Sequence, residues 1–267
     1  MRFPPVFIGG AGRSGTTLVR VMLESHSCIS CGPELKVTVR IAEMLNRFRG
    51  VYKPFLSNYN VTPDYSAELF RELLQGIFNK SLDRTGKKRI AEKTPGNSLV
   101  FPMLHTMFRD SPLVHVIRDG RDVVTSLLSM DWRDPSGRPV PYTQETGEAA
   151  RYWVRSVAYA RDMAEKNSYY NGKYTELRYE DIVSAPKETL EGLLSFIGEE
   201  WEEGVLEFYK QDRVLAGESS ADQVKRGIYS SSVGRWKQGL SKEQKGSVYE
   251  IAGDLLMELG YCDCHEQ

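Results

Sequence analysis

Residues 6–17 read Val6-Phe7-Ile8-Gly9-Gly10-Ala11-Gly12-Arg13-Ser14-Gly15-Thr16-Thr17. The apolar, β-like run from Pro4 to Gly10 ends in glycines. A helix follows from Thr16 to Ser25, with Leu18, Val21 and Met22 on one stripe. A strand, a glycine-rich turn and a helix in that order aim backbone N–H groups and a helix N-terminus at one point, which makes an anion cradle. The spacing Gly10-x4-Gly15 matches the first part of the loop that nucleoside triphosphatases use, yet Thr16 stands where that loop needs Lys. That Lys reaches the β- and γ-phosphates of a triphosphate. Without it, and with Arg13 inside the loop, the cradle suits a shorter anion, a phosphate or sulfate. A glycine-rich turn that binds nothing is the alternative; Arg13 and the hydroxyls of Ser14, Thr16 and Thr17 weigh against it.

Working outward, Leu113-Val114-His115-Val116-Ile117 is a buried-strand run bounded by Pro112 and by Arg118-Asp119-Gly120, and a helix follows from Arg121 to Met130. Arg118 falls at a strand end, where open α/β sheets bind ligands. Ser126 lies on the next helix, so both could meet one phosphate. The plainer alternative pairs Arg118 and Arg121 with Asp119 and Asp122 in a solvated turn. Lys88–Lys93 and Lys173–Tyr179 are further strands. Tyr65–Leu82 and Glu145–Lys166 are helices, as is Ala185–Ile197 with Ser184 as its cap and Gly198 as its stop. Ser241 opens the last helix, with Gln244 completing a capping box and Gly260 ending it. Asp131–Thr143 is a loop, and Gln211–Arg235 is a loop or lid. Strands alternating with helices predict an α/β fold, a P-loop-type parallel β-sheet flanked by helices, in one domain spanning residues 1–267.

Composition sets the outer limits. The chain has 267 residues, 35 Lys+Arg against 36 Asp+Glu, a net charge of −1 and 40% hydrophobic residues. Such a chain is not disordered, and its balance argues against a dedicated nucleic-acid binder. No stretch approaches the roughly 20 apolar residues of a membrane span. The start at Met1 without a signal peptide reads as cytoplasmic, although removal of an anchor from a secretory-pathway protein would leave the same sequence. Cys28, Cys31, Cys262 and Cys264 form no disulfide framework. Neither Cys28-x2-Cys31 nor Cys262-x-Cys264-His265 has a second properly spaced pair, so free thiols and no metal are expected. His115, central in an apolar strand, is expected in the core; His105 is expected on a helix surface.

The two anion segments together resemble the 3′-phosphoadenosine 5′-phosphosulfate (PAPS)-dependent sulfotransferases, and most of all the tyrosylprotein sulfotransferases. Their loop reads Arg-Ser-Gly-Thr-Thr-Leu, like Arg13 to Leu18. Cys31-Gly32-Pro33-Glu34 matches their Cys-Gly-x-Glu, and Lys93-Thr94-Pro95 their Lys-x-Pro. Arg118 to Arg121, Tyr179-Glu180, Asp222-Gln223-Val224 and Arg235-Trp236 match later landmarks in the same order. The resemblance implies a sulfotransferase fold. It implies that Arg13, Ser14, Gly15, Thr16 and Thr17 hold the 5′-phosphosulfate, that Arg118 and Ser126 hold the 3′-phosphate, that Tyr179 lies near the adenine, and that Ser220 and Arg235 close over the nucleotide. It implies Glu34 as base and Lys93 as helper of the leaving group. One departure is Ala91, where that family carries a Cys that pairs with the Cys of Cys-Gly; Cys31 lacks this partner.

The chemistry is coherent with these residues. A carboxylate can take the proton of an attacking hydroxyl, and Lys93 and Arg13 can offset charge on the departing phosphate oxygen. Glu34 as a surface loop carboxylate and Lys93 as an exposed strand-end lysine are the plain alternatives, and His26 is a rival base. Lys36 and Arg40, four residues apart, would share a helix face and attract an acidic peptide, or form a solvated basic face. The expected acceptor is tyrosine in an acidic protein or peptide. A small-molecule, lipid or glycan hydroxyl is the alternative, a non-catalytic nucleotide-binding or scaffold protein is a different class, and a homodimer is left open.

Overall fold

The computed structural model describes residues 3–167, 170, 172–211, 224, 225 and 227–262. Its sheet has the order β2-β3-β1-β4-β5, with β1 Val6–Gly10, β2 Ile29–Ser30, β3 Arg89–Lys93, β4 Leu113–Ile117 and β5 Tyr174–Arg178. Every pairing is parallel. All residues of β1, β3 and β4 are buried, as expected for central strands covered on both faces.

Alternation along β1 divides the core. Val6 and Ile8 pack with α1 (Thr16–Glu24) beneath residues that include Leu190 and Leu194. Phe7 faces the other way, into a layer with Leu45, Leu74 and Phe101. That layer is built by α2 (Val37–Arg49), α4 (Pro63–Thr85) and α5 (Phe101–Met107), with the short α3 (Lys53–Ser57) between the first two. On the far side of β4, α6 (Gly120–Leu127), α7 (Thr146–Asn167) and α11 (Lys242–Glu258) enclose Trp153. Helices α8 (Tyr179–Ser184), α9 (Pro186–Ile197) and α10 (Trp236–Gly239) complete the cover. Among the described residues no helix is long and apolar enough to cross a membrane.

Local signals explain most boundaries. The Ser241/Gln244 capping box forms as expected, and Gly198 ends α9 in the left-handed region at φ 76°. Ser184 does not cap α9. It ends α8, and Pro186 starts α9 with its preset φ in place of a side-chain cap. His105 is a second correction: it is buried, with its ring edge-on to Tyr170 at 5.3 Å, because α5 lies beneath neighbouring segments. His115 is a core residue, its Nδ1 2.8 Å from the Tyr174 hydroxyl. Burial pushes its pKa down to about 3, so it stays neutral.

Register brings the expected functional segments to one sheet edge. Ile8 pairs with Lys93, and Gly10 with Val116. The loop after β1, Lys93 at the end of β3, Arg118 after β4 and Tyr179 after β5 therefore share the carboxyl edge. The chain leaves β1 for one side of the sheet and later returns to β4 on its other side, so the edge over β1 is the switch point where α/β sheets bind ligands.

Candidate active site

A cavity of about 710 Å³ opens at this edge, within the range of small-molecule and cofactor sites. Its floor is the glycine loop. Arg13 takes φ 73° and Gly15 φ 95°, a left-handed geometry costly for arginine and free for glycine. Gly15 has a second reason to be glycine, because a Cβ there would sit 2.4 Å from Cδ2 of Tyr179. The Tyr179 ring in turn lies under the Arg118 guanidinium, 4.4 Å from its carbon to the ring centre, a cation–π arrangement. Tyr179 is thus packed between loop and arginine.

Of the arginines that line the cavity, Arg13, Arg118 and Arg235 crowd one another. The pKa of Arg13 is brought down to about 10, first by burial and then by the charges of Arg235 and Arg118. Arg235 is lowered by burial and by Arg118. Like charges crowded in a partly dry site call for an anion between them. Arg118 Nε and Arg235 Nε, on two cavity-lining residues, are buried without a hydrogen-bond partner, which is donor capacity for a phosphate-like group. Ser14 Oγ is also buried without a partner, but Ser14 does not line the cavity. Arg13 Nε donates to Ser126 Oγ at 2.9 Å, so the two expected anion segments meet directly. Arg118 also donates to the carbonyl of Arg13 at 3.2 Å and to that of Ser232.

The plainer alternative for the second segment holds for the pairing, Arg118 with Asp122 at 3.7 Å and Arg121 with Asp119, and fails for the solvation, since all four residues are buried. Arg121 is bound to Asp119 at 2.8 Å, stacks 4.0 Å over Trp236 and donates to the Tyr249 hydroxyl. It is a clamp between α6 and the C-terminal helices. Asp122 does something the sequence did not reveal. Its two carboxylate oxygens accept from the backbone N–H groups of Gly234 and Trp236, at 2.8 and 3.0 Å. Those residues flank Arg235, so Asp122 fixes the segment that delivers Arg235 to the cavity.

Glu34 and Thr17 line the cavity as well, and Lys93 Nζ, behind them, donates to Glu34 Oε1 at 2.8 Å and to Thr17 Oγ1 at 3.4 Å. Lys93 is buried, which excludes the exposed strand-end reading, while the Glu34 side chain keeps 24% exposure. Lys93 is reinforced from behind, since buried Glu92 accepts from Thr94 Oγ1 at 2.7 Å and Asn97 Nδ2 at 2.6 Å. Burial pushes the Glu92 carboxyl up, against those hydrogen bonds.

His26 lies elsewhere. It is buried beyond the C-terminus of α1, its Nε2 2.9 Å from the Glu200 carbonyl oxygen, with Nδ1 accepting from the Cys28 N–H; it does not line the cavity. His26, Cys28 and Glu199 do lie within 4.8 Å of one another, but Glu199 is held by Arg89 at 2.9 Å. Cys28 and Cys31 are free thiols, and Cys31 is packed in the core with Ala91. Lys36 and Arg40 both line the cavity. They do not share a helix face, because Lys36 precedes α2 with φ 56°. Arg40 pairs on the surface with Glu43 at 2.9 Å. Ser220, Asp222 and Gln223 lie outside the described residues.

An aromatic wall was missed from sequence. Trp132, Tyr142 and Tyr152 line the cavity, and the rings of Tyr142 and Tyr152 stack 4.2 Å apart. The Tyr152 hydroxyl accepts from the Gly12 N–H at 2.8 Å across 140 residues of sequence. Burial pushes its own pKa up to about 12, so it remains a phenol. Tyr152→Phe keeps the stack and strips that N–H of its acceptor, a loss of about 1–3 kcal/mol. Affinity for 3′-phosphoadenosine 5′-phosphate (PAP) is expected to fall about tenfold. Titration calorimetry checks it, and unchanged affinity would free the loop from Tyr152.

The comparisons with known proteins agree with this geometry. The model of the Sulfotransferase family matches residues 4–203. A putative protein-tyrosine sulfotransferase of Caenorhabditis briggsae is 24% identical over 263 residues, 96% of this chain and 88% of that one. An uncharacterised Aquifex aeolicus protein is 28% identical over 240 residues, covering 88% of this chain and 30% of the longer relative. Among solved structures, the sulfotransferase domain from the curacin biosynthetic pathway superposes with a TM-score of 0.67 at 23% identity, over 95% of this chain and 97% of that one. A mouse sulfotransferase complexed with PAP gives 0.56 at 13% identity, over 97% and 87%. A parallel sheet with its glycine loop and arginines on one edge, and a family match across three-quarters of the sequence, place this chain in the sulfotransferase family of transferase enzymes.

Proposed function

We propose that this chain moves the sulfuryl group of PAPS onto an acceptor hydroxyl, with tyrosine in an acidic protein or peptide as the favoured acceptor. The observation that carries the proposal is one cavity lined by Arg13, Arg118, Arg235 and Glu34, with Glu34 bonded to the buried Lys93 behind it. The protein-tyrosine sulfotransferase named among the relatives and the PAP complex of a protein of the same fold support this choice of acceptor and donor.

When bound, PAPS supplies an electrophilic sulfur and a phosphate leaving group. The glycine loop, with Ser14, Thr16 and Thr17, would hold the 5′ end. Arg118, Ser126 and Arg235 would hold the 3′-phosphate, and Tyr179 would pack beside the adenine. Glu34 accepts the proton of the attacking hydroxyl as the new O–S bond forms. Lys93, bonded to both Glu34 and Thr17, and Arg13 offset the charge left on the phosphate oxygen when its bond to sulfur breaks. Lys36 and Arg40 at the mouth favour acidic residues beside the target. These side chains account for the charge balance without a metal ion.

The test is transfer of radiolabel from PAPS to an acidic tyrosine peptide, run beside phenols, aliphatic alcohols, lipids and glycans. Label on the peptide, lost when its tyrosine is phenylalanine, is the expected result. Label on a non-peptide acceptor alone would overturn the tyrosine assignment. PAP bound no more tightly than AMP, with no transfer to any acceptor, would leave only the nucleotide-binding alternative.

A further inference from the structure

Helix α2 runs from the cavity mouth, where Val39, Arg40 and Glu43 line the opening, out to a projecting tip. From residue 50 to residue 60 every residue except Leu56 is exposed. Val51 is 71% exposed, Phe55 67% and Tyr59 81%. They are spaced four apart around α3. Three large apolar side chains left in water within nine residues mark a docking site.

The tip is not a loose strand. Its backbone is closed by the Tyr52 N–H donating to the Arg47 carbonyl at 2.9 Å and the Val61 N–H donating to that of Leu56 at 3.1 Å. Phe48 stands edge-on to both Tyr52 and Phe70 at its base, and Arg49 donates to the Pro63 carbonyl at 3.2 Å. The fold thus presents Val51, Phe55 and Tyr59 outward on a braced turn.

Charge selects the occupant. The segment between Glu43 and Asp64 contains Arg47, Arg49 and Lys53 and no carboxylate. A second copy docking tip to tip would set these cations against their own images, and a few side chains on a narrow projection fall well short of the ~800 Å² per partner of a standard interface. A lipid headgroup layer meets both features: aromatic and aliphatic side chains enter the acyl boundary while cations sit among anionic phosphates. We propose that the α2–α3 tip docks this protein on an anionic lipid surface. The cavity mouth, lined by Val39 to Glu43, would then stand about 9–15 Å along α2 from its C-terminal end. This inference goes beyond the reaction above and does not depend on it.

The experiment is co-sedimentation of the full chain with phosphatidylcholine vesicles, with and without 30 mol% phosphatidylglycerol, at about 0.1 M and about 0.5 M salt. Binding to the anionic vesicles, weakened severalfold by salt and by omitting phosphatidylglycerol, is expected. Val51→Ser, Phe55→Ser and Tyr59→Ser combined should cut the partition coefficient at least tenfold, with PAP affinity and melting temperature unchanged. No sedimentation of the parent chain with either vesicle, or equal binding by the triple variant, would overturn the proposal. So would a dimer in light scattering that the triple variant converts to monomer, since the tip would then be a protein interface.

Discussion

Arg118→Met is expected to abolish discrimination between PAP and AMP. The parent protein should bind PAP far more tightly, because only PAP offers a 3′-phosphate to the guanidinium that register places just past β4. Charge-assisted hydrogen bonds contribute about 1.5–3 kcal/mol each. The affinity ratio between the two nucleotides should therefore fall by one to two orders of magnitude. The ratio is more telling than either affinity, because methionine also removes the cation over Tyr179 and the bond to the Arg13 carbonyl. Damage of that general kind weakens PAP and AMP alike. Methionine also takes the cation from buried Asp122, 3.7 Å away, so the melting temperature is read beside the ratio. Calorimetry with both nucleotides reads the ratio. An unchanged ratio would move the 3′-phosphate away from Arg118 and Ser126.

What the sequence revealed about this site was local, and what it concealed was tertiary. The strand, glycine loop and helix from Val6 to Glu24 are contiguous, so apolar run, glycine spacing and helical stripe coincide within one segment. The Arg118 segment was legible for the same reason. Asp122 was not, because its partners Gly234 and Trp236 lie more than 100 residues away, and nothing in the spacing of Asp119 and Asp122 separates a carboxylate that clamps a distant backbone from one that faces water. Tyr152 was hidden in the same way: on α7 it reads as one more aromatic of an amphipathic helix. The mistaken rivalry of His26 with Glu34 has a topological origin. In a parallel sheet, residues that follow a strand lie at the carboxyl edge and residues that follow a helix lie at the amino edge. His26 follows α1; Glu34 follows β2. Because β2 is only Ile29–Ser30, too short for an alternating pattern, the return of the chain to the site edge left no signal.

Glu34→Gln is expected to lower kcat by a factor of about 10²–10⁴, with PAP affinity within a few-fold of the parent. Glutamine keeps the length and one oxygen for the Lys93 ammonium while removing the basic lone pair. The substitution also takes a negative charge from a buried cation, and breaking a buried pair can cost about 3–5 kcal/mol. Here the cost should be smaller, because the Glu34 side chain keeps 24% exposure, Lys93 retains Thr17 Oγ1 at 3.4 Å, and an amide oxygen can still accept. The melting temperature reports that structural part separately. If Glu34 is the base, kcat falls much further than either stability or nucleotide affinity. If Glu34 serves only to seat Lys93, the losses run together: Thr17 is displaced, PAP binds more weakly, and Lys93→Met reproduces the phenotype. Near-parental kcat in a Glu34→Gln protein that still binds PAP would remove Glu34 from the chemistry. It would not restore His26, whose ring is held at the opposite edge of the sheet by the Glu200 carbonyl.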